Sequence, residues 1–340
     1  MKASQLTAQL EQILLPEPKD GEERLALMIW GPPGIGKSQI VKQFALANGY
    51  RFIDVRLSQM GPEDLQGCPF IVEEDSHKKT AWGTPLIWPT ENDPKTLLFF
   101  DEITHAPHST LKSAFQIVLD KQIGQFKFPK NTIMAAAGNR PEDRSGALDL
   151  PEALKGRFVH TLLEPDIADF ASWWVKNEKD PRILAYIRAT KKLETLHCMP
   201  NGATSDPASP SPRTWAFASQ VLDLVSPTLR LETLKGTVGP GEATALCAHL
   251  EMELPDVDML LQQPWKFTRP RQQGVIYALV GAFVNAVEAD TLDAFMEIAD
   301  KMTKEAAMLM TRDLYEHKKH LAISSPKFNK WCVENKYLVL

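Results

Sequence analysis

The sequence predicts an α/β fold, in which a parallel-sheet domain is followed by a region made largely of helices. First, short apolar runs alternate with helix-like segments over roughly the first 160 residues, which is typical of βαβ units. Second, a glycine-rich turn joins the first apolar run to a helix. Third, strand-like runs become scarce after Phe158, where amphipathic helical patterns dominate.

Four apolar runs are the predicted strands of this sheet. Residues 25–30 (LALMIW) form a continuous apolar run, as expected for a central strand that is buried on both faces. A helix follows over residues 38–49, with Gly49 as its predicted C-cap. Residues 51–57, 96–100 and 132–136 supply the other strands, and a further helix is predicted over residues 109–120.

Composition and charge restrict the classes of function. The chain of 340 residues is 44% hydrophobic and carries 38 basic against 43 acidic residues, a net charge of −5. This balance argues against a nucleic-acid coat protein or a polybasic membrane binder. The longest nearly apolar stretch, residues 274–287, is shorter than the roughly 18 residues of a membrane span, so a soluble, cytoplasmic protein is expected. The four scattered cysteines predict neither a disulfide framework nor a zinc site.

The strongest motif in the chain is a complete GxxxxGK[ST] phosphate loop. It follows an apolar run and opens a helix, which is the context that phosphate binding requires. Backbone N–H groups and the positive end of the helix dipole then face the phosphate oxygens. Lys37 would reach the β- and γ-phosphates, and the Ser38 hydroxyl would bind Mg²⁺. The predicted nucleotide-binding residues are Gly31, Pro32, Pro33, Gly34, Ile35, Gly36, Lys37 and Ser38.

Two acidic residues follow directly after the predicted strand at residues 96–100. Asp101 and Glu102 then lie at the carboxyl edge of the sheet, where open α/β sheets bind their ligands. Beside a phosphate loop, Asp101 would hold Mg²⁺, mostly through water, and Glu102 would orient and deprotonate the attacking water. Strands often end in acids that only cap a turn, so this prediction depends on the phosphate loop.

Three further polar residues are candidates that each have a structural alternative. Asn139 follows the strand at residues 132–136 and could hydrogen-bond the γ-phosphate and the lytic water, or it could be an ordinary turn asparagine. Arg157 stands in LPEALKGRF, and Arg213 opens a predicted helix in SPRTWAF. A lone arginine is usually a solvated surface residue, so these assignments depend on the motifs around them.

In this order, the motifs closely resemble those of the AAA+ ATPases, specifically the MoxR-type, helix-2-insert branch. GPPGIGKS resembles Walker A, LLFFDE resembles Walker B, and LPEALKGRF and SPRT resemble that branch's LPEA…DRF and SPRA segments. The resemblance covers roughly residues 25–225. It implies that Asn139 is the first sensor, Arg157 the arginine finger and Arg213 the second-sensor arginine. The sequence departs from the family pattern at two places. Thr104-His105 follows Walker B, where Asn-Arg or Asn-Lys is common, and Gly156 precedes the predicted finger Arg157. Both departures leave the contacts between subunits open.

The same resemblance predicts two hairpins that would grip a partner. The first lies within residues 64–94, where this branch inserts a hairpin into its second helix, facing the ring pore. The second is the pre-sensor hairpin at residues 122–130. The alternative is that their aromatic side chains pack within the hairpins themselves. The candidates are Phe70, His77, Lys78, Lys79 and Trp82 in the first hairpin and Phe126 and Phe128 in the second.

The resemblance also implies a function, its cofactors and its partners. It implies an ATP-hydrolysing, Mg²⁺-dependent hexameric ring that remodels, assembles or activates a partner complex, typically through a protein with a von Willebrand factor A domain. The expected domains are an α/β nucleotide-binding domain at residues 1–163, a helical lid at 164–235 and a further helical region at 236–340. Within the lid, the Pro- and Ser-rich residues 199–212 are expected to form an exposed loop.

Two other classes of function remain open. A nucleic-acid-linked NTPase motor, such as a McrB-like restriction subunit, belongs to the same branch, although the acidic charge argues against it. A regulatory scaffold would bind nucleotide without turnover, and the presence of Glu102, Asn139 and Arg157 argues against that. ATP is favoured over GTP because the sequence has no NKxD guanine-recognition motif.

Overall fold

The computed structural model describes residues 1–20, 23–74, 77–143, 146–198, 208–252 and 254–335. The chain divides into two compact units, Met1–Glu164 and Pro165–Leu340. The part of the expected exposed loop at residues 199–207 lies outside the described residues. Within the described ranges, every helix is too short or too polar to span a bilayer.

The first unit is an α/β domain that begins with a helix and ends with a strand. Its described elements are α1 (Ala3–Leu14), β1 (Ala26–Trp30), α2 (Lys37–Ala47), β2 (Arg51–Arg56), α3 (Pro62–Gln66), β3 (Cys68–Glu74), β4 (His77–Gly83), β5 (Thr96–Asp101), α4 (His108–Asp120), β6 (Gln122–Ile123), β7 (Phe126–Lys127), β8 (Thr132–Gly138), α5 (Glu152–Lys155) and β9 (Phe158–Leu162).

The central sheet of this unit has five strands in the order β2-β5-β8-β1-β9, and every neighbouring pair is parallel. Alternate side chains of β5 enter two different cores, because successive side chains of a strand point to opposite faces. Leu98 and Phe100 pack on the face covered by α4, whereas Leu97 and Phe99 pack on the face covered by α1 and α2. The predicted parallel α/β fold is therefore confirmed.

The structure also corrects two details of the predicted strands. The fifth strand, β9, was not among the four apolar runs, because its pattern FVHTL mixes buried and exposed side chains. It forms one edge of the sheet and pairs with β1 from Phe158↔Ala26 to Leu162↔Trp30. Leu25, which was predicted to begin a buried strand, is 54% exposed, and β1 starts one residue later.

The second unit is helical throughout its described residues. Its helices are α6 (Ile167–Lys176), α7 (Pro181–Thr190), α8 (Leu193–Leu196), α9 (Pro212–Leu224), α10 (Pro227–Val238), α11 (Pro240–Leu250), α12 (Val257–Gln262), α13 (Gln273–Ala286), α14 (Leu292–Lys301), α15 (Lys304–His317), α16 (Lys319–Ser324) and α17 (Pro326–Glu334).

Two hydrophobic clusters form the core of this second unit. The first runs from Phe170 to Leu246, and the second runs from Leu260 to Trp331. A buried ion pair joins α7 to α15, because the Arg188 guanidinium donates to both carboxylate oxygens of Asp313, at 2.5 and 3.0 Å. Such a pair needs both partners, since either charge alone would be buried without compensation.

Candidate nucleotide-binding site

The phosphate loop lies between the end of β1 and the start of α2. Gly34 and Gly36 have φ values of 80° and 100°, a left-handed region that strongly favours glycine. The Ile35 side chain is buried in the core beside α1 and α2 and anchors the middle of the loop. The Gly31 amide donates to the Gly138 carbonyl at 3.3 Å, which ties the loop to β8. The loop is thus held at the carboxyl edge of the sheet.

Lys37 is the first residue of α2, and its side chain turns back across the loop. Its Nζ donates to the carbonyl oxygens of Gly31 and Pro32 at 2.6 and 2.9 Å, and to Oδ1 of Asn139 at 2.7 Å. The side chain is only 9% exposed. An ammonium group in this position offers its charge to phosphate oxygens that enter the loop.

Ser38 and Asp101 come together beside the loop. The Ser38 hydroxyl donates to Oδ2 of Asp101 at 2.6 Å, and the Glu102 amide donates to Oδ1 at 2.9 Å. Burial raises the pKa of Asp101 above its ordinary value, against the opposing effect of these two hydrogen bonds. Within the described ranges, no cationic side chain lies within ion-pair distance of this carboxylate. A hydroxyl beside a half-buried carboxylate without a counter-ion is an oxygen donor set that fits Mg²⁺.

Glu102 follows directly after β5 in a left-handed conformation, with a φ of 54°. Few non-glycine residues adopt this region, and those that do are concentrated at functional sites. The Glu102 carboxylate accepts a hydrogen bond from the Ser58 hydroxyl. Ser58 lies in a 3-10 turn at Leu57–Gln59, directly after β2, the strand that pairs with β5. The sequence analysis did not identify Ser58, because its only signal is its position after the neighbouring strand.

Asn139 lies just beyond β8, where it faces Lys37. Its backbone N–H donates to the hydroxyl of Thr104 at 3.2 Å, and Thr104 is buried. Gly138 allows this approach, because a Cβ there would lie 2.6 Å from Cγ2 of Thr104. Thr104, which belongs to the departure after Walker B, is therefore a second positioning residue that the sequence analysis did not assign.

The structure does not bring Arg157 to the phosphate loop of its own chain. Arg157 precedes Phe158, which pairs with Ala26 at the start of β1, whereas the phosphate loop follows the end of β1. A strand of this length spans about 16 Å. Arg157 therefore lies at the amino end of the parallel strands, and the phosphate loop lies at their carboxyl end. The Arg157 side chain is exposed. Arg213 belongs to the second unit, where it is exposed on the first turn of α9.

Two hairpins occur in the predicted segments. In the first, β3 and β4 are antiparallel, and Phe70 and Trp82 are 50% and 43% exposed, so neither is packed away within the hairpin. In the second, β6 pairs with β7. Phe128 is buried against Trp88, with ring centroids 5.1 Å apart, so of the two alternatives for this side chain the structure favours packing over contact with a partner. Phe126 stacks edge-on against Phe128 and is partly buried.

Comparisons with known proteins give one family match and several solved structures of low similarity. Residues 27–164 match the model of the AAA family, described as ATPases associated with various cellular activities. Among solved structures, NtrX from Brucella abortus in complex with ATP is 14% identical, with 99% of this chain and 68% of that chain covered and a TM-score of 0.40. A RuvB point mutant from Thermotoga maritima is 15% identical, with 93% and 95% covered and a TM-score of 0.39. A structure of katanin is 18% identical, with 77% and 86% covered and a TM-score of 0.37.

The family match begins within β1 and ends just after β9. It therefore spans the sheet, the phosphate loop and the acidic residues after β5. Over residues 27–164 the chain is thus similar to the domain that the AAA family model describes.

Proposed function

We propose that this protein is an Mg²⁺-dependent AAA+ ATPase of the MoxR type, which works as a hexameric ring and remodels, assembles or activates a partner protein complex. The observation that carries the proposal is the convergence of four groups on one edge of the sheet. They are the Lys37 ammonium, the Asn139 amide, the Ser38–Asp101 pair and the Glu102 carboxylate. Binding, metal-holding and general-base groups are then all present beside one phosphate loop.

The chain's own residues supply the chemistry of hydrolysis. Lys37 holds the β- and γ-phosphates, and Asn139 positions the γ-phosphate and the attacking water. Glu102 accepts the proton of that water, while Ser58 holds the carboxylate in place. Ser38 and Asp101 would hold Mg²⁺, which when bound supplies positive charge to the phosphate oxygens.

Arg157 would act on the nucleotide of a neighbouring subunit. Its separation from its own phosphate loop by the length of β1 supports an action in trans. Its exposed side chain is available to a second copy of the chain. Arg213, on the lid predicted at residues 164–235, is proposed as the second-sensor arginine, which would couple hydrolysis to lid movement.

The partner is proposed to be a protein, with a von Willebrand factor A domain protein as the expected class. The exposed aromatic side chains of the first hairpin support a protein-gripping surface, because exposed aromatic residues are enriched at interfaces. A McrB-like nucleic-acid motor is the alternative. Turnover that rises strongly with added DNA would support that alternative.

The test compares three proteins in ATP-binding and turnover assays. Glu102→Gln should bind ATP with unchanged affinity and lose turnover, since glutamine can hold water but cannot accept its proton. Lys37→Ala should lose nucleotide binding, because the phosphates lose their mobile cation. Glu102→Gln should also capture partner proteins in ATP but not in ADP, whereas equal losses of ATP affinity in both variants would contradict the proposed roles.

A further inference from the structure

A basic segment of the second unit, residues 265–271 (WKFTRPR), is exposed in an otherwise acidic protein. The Trp265 side chain is 68% exposed. Lys266, Arg269 and Arg271 are exposed as well. Within the described ranges, none of these three cations forms an ion pair or a side-chain hydrogen bond. A stretch of seven residues thus carries three cations without acidic partners among the described residues and one exposed indole, in a chain whose net charge is −5.

The basic segment is nevertheless fixed to the helical core. Phe267, in its middle, is 6% exposed, and its ring centroid lies 6.0 Å from that of Phe283 on α13. Pro264, just before the segment, is buried, and its carbonyl accepts a hydrogen bond of 2.7 Å from Nζ of Lys301. Pro270 limits the backbone further. Because the segment is already ordered, a ligand that binds it loses less conformational entropy.

Within the described residues, several cations elsewhere in this unit have carboxylate partners, unlike the three cations of the segment. Elsewhere in the same unit, Lys301 pairs with Glu297 at 2.9 Å and Lys327 pairs with Asp293 at 3.2 Å. Acidic residues also precede the segment, but Asp256 is used there to cap α12 through the Met259 amide. The cations of residues 265–271 therefore remain available for a ligand.

We infer that residues 265–271 are a docking surface for an acidic segment of a partner protein. Arginine binds carboxylates through two parallel hydrogen bonds, and Arg269 and Arg271 are free to do so. The exposed indole of Trp265 supplies an apolar face within the same segment, and Trp and Arg are among the residues that most often dominate binding energy at interfaces. Only the identity of the partner, as the protein remodelled by the ATPase, rests on the proposed function.

The charges around the segment favour discrete carboxylates over a nucleic acid. The Glu297 carboxylate lies beside the segment, since it binds the same Lys301 ammonium that holds the Pro264 carbonyl. A continuous phosphate backbone needs an extended basic surface, whereas this segment presents three cations within seven residues. A short peptide can place its carboxylates on Arg269 and Arg271 and avoid Glu297.

The test measures fluorescence anisotropy with the full-length chain and defined probes. The probe is a fluorescein-labelled peptide of about twelve residues in which Asp-Glu pairs alternate with Leu and Phe. The comparison probes are the same peptide with Asn and Gln in place of Asp and Glu, and a single-stranded oligo-dT of similar charge. The charge-reversal variant is Lys266→Glu/Arg269→Glu/Arg271→Glu, and the matched control with the same change in net charge is Lys176→Glu/Lys192→Glu/Lys304→Glu, at three exposed lysines of the same unit.

We expect the acidic peptide to bind the native chain and to bind the charge-reversal variant at least about tenfold more weakly. The control should change affinity by less than about twofold, since it alters only the long-range field. Trp265→Ala should weaken binding by about fivefold or more. Equal binding of the amide peptide, equal losses in the control, or tighter binding of oligo-dT would each overturn the inference.

Two further measurements separate this inference from the proposed ATPase function. Peptide binding should persist in Lys37→Ala without nucleotide, because the surface does not depend on the phosphate loop. ATP turnover of the charge-reversal variant without peptide should equal that of the native chain. A chain that binds the peptide but never hydrolyses ATP would contradict the proposed function alone, whereas an active ATPase that does not bind it would contradict the docking surface alone.

Discussion

Nζ of Lys37 donates a hydrogen bond of 2.7 Å to Oδ1 of Asn139, a residue 102 positions further along the chain. The same ammonium holds two carbonyl oxygens of the phosphate loop. The loop after β1 and the end of β8 are therefore joined by one side-chain cation. A nucleotide phosphate that binds Lys37 must compete with Asn139 for it or share it, which couples Asn139 to phosphate binding.

Replacing Asn139 should separate turnover from binding. Asn139→Ala removes a group that positions the γ-phosphate and the water, so turnover should fall by about 10- to 100-fold. ATP affinity should change by less than about threefold, because Lys37 keeps its charge. Steady-state ATPase assays and nucleotide-binding titrations measure the two quantities. Asn48→Ala, at the other end of α2, removes a side-chain amide that donates to the Phe44 carbonyl; it is the control and should leave both quantities unchanged.

Ser58 should act as a positioning residue for Glu102. Ser58→Ala removes the hydroxyl that holds the carboxylate, so kcat should fall by about tenfold while KM for ATP stays within about twofold. Ser58→Thr keeps a hydroxyl at this position and should restore most of the rate. If Ser58→Ala had a higher turnover than the native chain, the hydrogen bond from Ser58 would hold the Glu102 carboxylate in an inactive position.

Arg157 should be required in trans. Arg157→Ala should keep most of its ATP affinity and lose turnover by orders of magnitude, because a finger stabilises transition-state charge. Mixing it with Lys37→Ala should restore part of the activity, since some interfaces then pair an intact phosphate loop with an intact arginine.

Two results would contradict this assignment. Full turnover of Arg157→Ala alone would exclude it as the finger. If the mixture has no ATPase activity although mixed rings are shown to form, either another arginine is the finger or all sites of the ring must hydrolyse ATP together. Arg140→Ala is the matched control, because the Arg140 guanidinium is already paired with Asp143 at 2.8 Å and should not act on a neighbour.

Lys121 should make stability depend on pH at the alkaline end. Burial lowers the pKa of Lys121 from 10.5 to about 8, and its Nζ donates to the Val118 carbonyl at 3.1 Å. Below pH 8 the Lys121 ammonium is charged in both the folded and the unfolded chain, and burying this charge lowers the free energy of unfolding. Between pH 8 and 10.5 the unfolded chain binds the extra proton, so stability from this group rises with pH.

Lys121→Met should therefore stabilise the protein most at neutral pH. The gain in free energy of unfolding should be on the order of 2 kcal/mol at pH 7 and should shrink as the pH approaches 10. Thermal unfolding of both proteins at several pH values measures this difference. Lys112→Met, at an exposed position of α4, the helix that Lys121 follows, should show no such trend. A gain that is independent of pH would mean that packing, not charge, is responsible.

The sequence by itself determined the central strands, the phosphate loop and the acidic pair at the end of β5. These features are local: a run of apolar residues, a glycine pattern before a helix and the order of polar residues after a strand are all visible in a few neighbouring positions. The parallel arrangement of β1, β5 and β8 then followed from their alternation with helices, and it brought the ends of these strands to one edge of the sheet.

Only the tertiary structure decided which side chains meet at that edge and which are buried. The pairing of Ser58 with Glu102 and of Thr104 with Asn139 depends on strand order and register, which no local pattern encodes. The edge strand β9 has no continuous apolar run, because only part of it is covered. Phe128 is buried against Trp88, 40 positions earlier, and this long-range packing decides between the two alternatives that the sequence left open for this side chain.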